Sequence, residues 1–184
     1  AKDLKRDHLT ASLRAYQSFG ARFALVQQKV IIGDEMGLGK TVEALAAIAH
    51  LKATGHSHFL VLCPAAVISN WSREISKHTT MRSHRLHGSP RDREAAARLW
   101  VRDGGIAVTT FDLLHWSGDY LRQVELSCAV LDEAHYIKNP EARRSQAAAQ
   151  VIADAKYVIM MTGTPLENRV SEFSNLVDYI RPDL

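Results

Sequence analysis

The stretch that most constrains the fold is Asp34-Glu35-Met36-Gly37-Leu38-Gly39-Lys40-Thr41. Just before it lies Val30-Ile31-Ile32, a β-branched run of the kind a buried parallel strand carries. Just after it, residues 42–51 are Ala-rich and helical by propensity. Gly37 and Gly39 let the backbone curl so that its N–H groups point inward, forming a nest for anionic oxygens. Lys40 adds a positive charge able to reach β- and γ-phosphates, and Thr41 offers a hydroxyl to Mg²⁺. A loop between strand and helix also aims the helix N-terminus at the phosphates. One residue departs from the generic G-x-x-x-x-G-K-[ST] pattern: Asp34 stands where Gly is usual.

The rest of the chain repeats the alternation of strand and helix. Apolar runs at 59–64, 106–110, 128–131 and 157–161 read as buried strands, and 82–87 as a short one. Helical segments follow at 65–78, 91–102 and 141–153, with a last helix at 167–180 and an early one within 1–19. Val67, Ile68, Trp71 and Ile75 fall on one face of the 65–78 stretch. Phe111 to Trp116 starts a short helix, and Ser117-Gly118-Asp119 reads as a loop after it. Gly55, Gly104-Gly105 and Asn139-Pro140 punctuate the pattern. This order predicts an α/β fold: a mostly parallel sheet with helices on both faces, in one domain over residues 1–184. Ligands of such sheets sit at the carboxyl ends of the strands. The phosphate loop, Pro64, Thr109-Thr110, Asp132 and Thr162-Gly163-Thr164 all fall there.

Composition adds bounds. A chain of 184 residues, 46% hydrophobic and 23% charged, can bury a sizeable core. No apolar run approaches the length that crosses a membrane, and no secretory leader precedes the fold, so an intracellular setting is expected. The first residue is Ala1, which suggests a piece of something longer. The net charge of +3 permits a polyanionic partner without demanding one. Arg outnumbers Lys; bidentate phosphate binding and genomic base composition explain this equally well. Cys63 and Cys128 lie in strand-like runs and read as buried reduced thiols. Of the nine histidines, His56 with His58 and His84 with His87 form paper pairs. Neither pair has Cys or carboxylate at ligand spacing, so histidines in surface loops or at strand edges are expected and zinc is not. Arg91, Arg93, Arg98 and Arg102 read as the solvated exterior of a helix, with a basic face as the alternative.

The chemistry gathers around Asp132-Glu133-Ala134-His135. Asp132 follows an apolar strand and is placed to hold Mg²⁺ opposite Thr41, directly or through water. Glu133, one residue on, points elsewhere and is the candidate general base for an attacking water. His135 is read as a link between the γ-phosphate site and the next segment. Gln17, upstream of the phosphate loop, has an amide that can both donate to and accept from an adenine edge.

These motifs, in order, resemble the N-terminal RecA-like lobe of a Swi/Snf-type ATPase, the chromatin-remodelling branch of the superfamily 2 helicase-like motors. The resemblance rests on Asp-Glu-Met-Gly-Leu-Gly-Lys-Thr at 34–41, Leu-Cys-Pro followed by Trp71 and Glu74, and Thr-Thr-Phe-Asp-Leu-Leu at 109–114. Asp-Glu-Ala-His-Tyr-Ile-Lys-Asn at 132–139 and Thr-Gly-Thr-Pro-Leu-Glu-Asn at 162–168 complete it. It covers nearly the whole chain. Such ATPases usually carry Asp where Asp34 stands. They commonly have Leu-Arg-Pro-Tyr-Gln where this chain has Leu-Arg-Ala-Tyr-Gln, and the match gives Gln17 an adenine-recognition role.

The resemblance implies an ATP-dependent translocase on double-stranded DNA that uses Mg²⁺. It gives Asp34, Gly37, Leu38, Gly39, Lys40 and Thr41 to nucleotide binding, with Lys40, Asp132 and Glu133 catalytic. His135, Gly163 and Thr164 would couple nucleotide state to DNA grip. Pro64, Ala65, Ala66, Thr109 and Thr110 would face the DNA backbone, where contacts carry no base information. A second lobe, absent from this chain, would supply arginine fingers. The rival readings are a strand-separating helicase lobe acting on RNA or DNA, and a nucleotide-dependent binding module without turnover. A compact lobe with an Ala/Arg bias leans toward a bacterial source, in cytoplasm or nucleoid; a eukaryotic source would place it in the nucleus.

Overall fold

The computed structural model describes residues 4–10, 29–33, 39–133 and 143–162. Six strands form one sheet in the order β1-β6-β5-β2-β4-β3, and every pairing is parallel. They are β1 (Lys29–Gly33), β2 (His58–Leu62), β3 (Ser83–Arg85), β4 (Gly105–Thr109), β5 (Leu126–Asp132) and β6 (Tyr157–Thr162). The helices are α1 (Lys40–Ala53), α2 (Ile68–His78), α3 (Pro90–Asp103), α4 (Leu114–Leu121) and α5 (Arg143–Asp154), with a 3₁₀ turn at Ala65–Val67 before α2. The expected α/β class and its strands are therefore present, and the described sheet is wholly parallel.

Side-chain alternation along the central strands builds two cores. Phe59, Val61, Cys63, Val108, Cys128 and Val130 point to one face, where Leu45 and Ile48 of α1 and Ile68, Trp71 and Ile75 of α2 cover them. Leu60, Leu62, Ala107, Ala129 and Leu131 point to the other, against Trp100 of α3, Leu114 of α4 and Val151 of α5. A sheet buried on both sides explains why its strands read as continuous apolar runs.

Two expectations change in the structure, and one residue is more enclosed than its position suggests. Residues 117–119 are not a loop: they lie within α4. Ser117 is fully buried and its hydroxyl donates to the Leu113 carbonyl at 2.9 Å, so the residue fits inside a helix packed on the sheet. His84 lies in the edge strand β3, a strand-edge position as expected, yet it is buried and its Nε2 lies 3.0 Å from the Gly104 carbonyl. The 65–78 stretch is split, a tight 3₁₀ turn leading into α2. The early and last helices, the Asn139-Pro140 turn, and Gln17, Asp34, Gly37, Leu38, His135, Gly163 and Thr164 lie outside the described residues.

The N-terminal residues 4–10 lie along the far ends of α1 and α2. Leu4 joins the first core, and Thr10 donates its backbone N–H to the His78 carbonyl at 2.7 Å. This packing is opposite the edge where the candidate site residues gather.

Candidate functional site

The first part of the site is the entrance to α1. Gly39 caps this helix in a left-handed conformation, φ 82° and ψ 13°, which only glycine adopts at little cost. Its carbonyl accepts the Glu43 N–H at 2.9 Å, closing the first helical turn. The opening N–H groups of a helix have no partner within it, and Gly39 at the cap has no side chain to offer one. Lys40 is the first helical residue and is 7% exposed; Thr41, next to it, is half-buried. This end therefore carries helix-opening N–H groups, a lysine and a hydroxyl in consecutive positions, a donor set for phosphate.

The second part is the end of β5. Parity along the strand places Asp132 on the same side as Cys128 and Val130, the face covered by α1 and α2. There Trp71 of α2, 1% exposed, donates its indole N–H to Asp132 Oδ2 at 2.8 Å. One carboxylate oxygen is thereby held in place. Burial pushes the Asp132 carboxyl above the ordinary carboxylate range, and the neighbouring Glu133 charge adds to this. The Trp71 hydrogen bond, the Lys40 charge and the Glu133 backbone N–H pull the other way without cancelling it. The interaction with Lys40 ties the two parts of the site together electrostatically. Cys63, at the end of the adjacent strand, is pushed up to about 12 by burial and then by the Asp132 charge, so it stays a neutral thiol.

Glu133 has φ 56°, the one non-glycine residue with positive φ among those described. Left-handed backbone is costly for such a residue, and it turns the chain off the strand direction immediately after Asp132. Neighbouring carboxylates are thus sent different ways. The register sets the spacing of the two parts. β1 pairs with β6, Gly33 opposite Thr162, and β6 pairs with β5, Met161 opposite Asp132. One strand lies between them, so β1 and β5 end about 10 Å apart, twice the usual strand spacing.

The third part is a groove of about 550 Å³ at the ends of β2, β4 and β3, lined by Cys63, Pro64, Ala65, Ala66, His87, Gly88, Arg93 and residues 110–113. Pro64, Ala65 and Thr110, read from sequence as facing a DNA backbone, all line this groove. Ala65 and Ala66 are exposed on the 3₁₀ turn. Thr110 accepts the Leu113 N–H at 3.2 Å and is 8% exposed. Thr109 does not present its side chain: it is fully buried and its hydroxyl donates to the Leu86 carbonyl at 2.7 Å. Strand alternation explains the difference, because Thr109 shares its side with Ala107, inside the second core. A larger cavity of about 830 Å³ between α4 and α5 holds none of the expected site residues.

The paired histidines also separate. His56 bonds the Ser127 hydroxyl at 2.9 Å, while His58 bonds the Val101 carbonyl at 3.1 Å and meets the Trp100 ring edge-on at 5.3 Å between centroids. Sequence reasoning placed Trp71 on the apolar face of its helix and among the residues of the family resemblance, with no partner named for it. A fully buried indole N–H still needs an acceptor, but nothing local in the sequence singles out Asp132 as that acceptor.

Residues 16–184 match the family described as SNF2-related domain. Chromodomain-helicase-DNA-binding protein 8 of Homo sapiens is 31% identical over 188 residues, covering 92% of this chain and 7% of that protein. Chromodomain-helicase-DNA-binding protein 6 of Rattus norvegicus is likewise 31% identical, with the same coverage. The chain thus spans less than a tenth of the length of these relatives. Among solved structures, the Sulfolobus solfataricus SWI2/SNF2 ATPase core in complex with dsDNA superimposes with TM-score 0.84 at 31% identity, over 100% of this chain and 38% of that one. With the parallel sheet, the strand-end carboxylate and the glycine-capped helix in place, these matches make the chain a member of the SNF2-related family, an N-terminal RecA-like lobe of the Swi/Snf type.

Proposed function

We propose that the chain is the ATP-binding half of an ATP-dependent double-stranded DNA translocase of Swi/Snf type, and that Mg²⁺ accompanies the nucleotide. The observation that carries this is the convergence on one sheet edge of the Gly39-capped start of α1, with Lys40 and Thr41, and Asp132-Glu133 at the end of β5. The solved SWI2/SNF2 core with dsDNA supports the choice of DNA.

The residues fit the proposed cation. Thr41 offers a hydroxyl and Asp132 a carboxylate, both hard oxygen donors of the kind Mg²⁺ prefers. A partly desolvated carboxylate with one oxygen held by Trp71 is also one that gains from a cation nearby. When bound, Mg²⁺ would neutralise charge on the β- and γ-phosphate oxygens. In this reading Lys40 and the first N–H groups of α1 hold the phosphates, and Asp34, Gly37 and Leu38 complete the cradle. Gln17 reads the adenine edge. Glu133, turned away from Asp132 by its left-handed backbone, accepts a proton from the attacking water. His135, Gly163 and Thr164 relay the nucleotide state to the DNA groove. The second lobe of the parent protein supplies the arginines that meet the developing charge.

The test separates binding from chemistry. Lys40→Ala is expected to abolish measurable ATP binding by the parent protein. Glu133→Gln is expected to leave ATP bound while hydrolysis falls by about 10²–10⁴-fold, the usual worth of general-base catalysis. Normal turnover by Glu133→Gln would remove the base assignment. Stimulation by single-stranded RNA in preference to duplex DNA would replace the translocase with a strand-separating helicase.

A further inference from the structure

Four arginines lie on α3, and three of them behave as a solvated face. Arg91 is exposed, Arg98 bonds Glu94 at 2.6 Å, and Arg102 bonds Asp103 at 2.8 Å. Arg93 differs. It is half-buried and lines the groove with Pro64, Ala65, Ala66 and Thr110. Its Nη1 donates to the Gly88 carbonyl at 3.1 Å, and its guanidinium carbon lies 4.8 Å from the centroid of the Trp116 ring. These contacts hold the guanidinium in place against Trp116. Its Nε is buried and has no acceptor, the one such side-chain nitrogen or oxygen among the described residues.

A buried donor without an acceptor is costly, and structures rarely retain one without a use. We infer that Arg93, stacked on Trp116, is a phosphodiester-binding residue that extends the DNA-backbone track to the outer strands β4 and β3. The inference rests on the reading of duplex DNA as partner. Arginine suits this place for three reasons. Its planar fork offers Nε and a terminal nitrogen side by side to one phosphate, it stacks on an aromatic face, and it stays charged. The exposed Ala65 and Ala66 leave room for a backbone to approach, and the Thr110 hydroxyl retains its proton for donation after accepting from Leu113. Asp112, the carboxylate on this rim, is not a free charge.

The experiment measures binding of a labelled 20-base-pair duplex of arbitrary sequence to the parent protein across a salt series. Each lost phosphate contact lowers the slope of log K against log salt by about 0.9. Arg93→Gln is expected to lose about that much, together with about tenfold in affinity at low salt, equally on A·T-rich and G·C-rich duplexes. Arg98→Gln is the control and is expected to leave the slope unchanged. Should Arg93→Gln lose its cooperative melting transition, Arg93→Lys carries the test. It keeps the charge and stem but not the paired donors, so the slope stays and affinity falls about tenfold. A wild-type slope and affinity in the folded glutamine variant, or wild-type affinity in the lysine variant, overturns the inference. Failure of the unmutated protein to bind duplex DNA at any salt overturns the DNA reading itself.

Discussion

Asp132 and Trp71 lie 61 positions apart, yet the carboxylate is held where it is by the indole. The carboxylate needs the donor because burial disfavours its charge, and the indole needs the acceptor because it is itself buried. Trp71→Phe keeps most of the ring and removes the N–H. Hydrogen bonds to charged groups contribute about 1.5–3 kcal/mol, so the variant is expected to lose roughly 1–3 kcal/mol in urea unfolding. It is also expected to bind MgATP about tenfold more weakly, because Asp132 loses the contact that aims it. Unchanged MgATP affinity in a folded Trp71→Phe protein would reduce this bond to a structural one. The same pair shows what local sequence conveys and what it does not. Lys40, Thr41, Asp132 and Glu133 were legible because each is read from a few neighbours. The Trp71 bond was not, because it forms only when α2 packs across β5. Thr109 and Thr110 are adjacent and alike in sequence; only the side of the strand separates the buried one from the one at the groove.

Among the elements, the junction of α3 and β4 carries the tightest backbone. Gly105 has φ +106°, and a Cβ there would stand 2.5 Å from the Arg82 carbonyl oxygen; at Gly104 the distance to the Ser57 carbonyl oxygen would be 2.7 Å. Backbone oxygens of neighbouring strands cannot move aside cheaply. Gly105→Ala therefore meets a disfavoured φ and a clash together, and is expected to lose about 2–4 kcal/mol of stability by urea denaturation. A loss below 1 kcal/mol would show that the strand edge yields. Beside this turn, His84 is held neutral. Burial of the imidazole is the main reason its pKa lies below 6.5; its hydrogen bond to Gly104 and the Asp103 charge oppose this, and the Arg82 and His58 charges reinforce it. The unfolded chain therefore takes up the proton first as pH falls. The stability owed to neutral His84 is complete above about pH 6.5 and declines below it toward the depressed folded value. Melting temperatures at about pH 7.5 and 5.5 check this: the drop between them is expected to be smaller in His84→Gln than in the unmutated chain. The strands were legible because burial on both faces makes them uniformly apolar. Helix α4 was only half legible, because Ser117 and Gly118 have poor helix propensity and it is packing of Leu114 and Ser117 into the second core that keeps the helix going.

For the whole molecule, the decisive property is that the described site residues occupy one edge of a single sheet. The helix end proposed for phosphate, the carboxylate proposed for the cation and the candidate base all come from this lobe, and the groove proposed for DNA lies beside them on the same edge. In the proposed function this lobe meets the nucleotide from one side. In phosphoryl transfer most of the rate comes from positioning and from charge stabilisation around the γ-phosphate, and an arginine that reaches it from a second body contributes about 10³–10⁵-fold. The SWI2/SNF2 core that this chain matches is longer, the chain covering 38% of it. The 184-residue chain alone is thus expected to bind ATP weakly and to hydrolyse it about 10³–10⁵-fold more slowly than the same chain continued through a second lobe, with little response to duplex DNA. Steady-state phosphate release by both proteins, with and without DNA, measures this directly. If the isolated chain turned over ATP as fast as the two-lobed protein and was stimulated by DNA to the same degree, the charge stabilisation would have to arise within this lobe, and the division of the site between two bodies would be wrong.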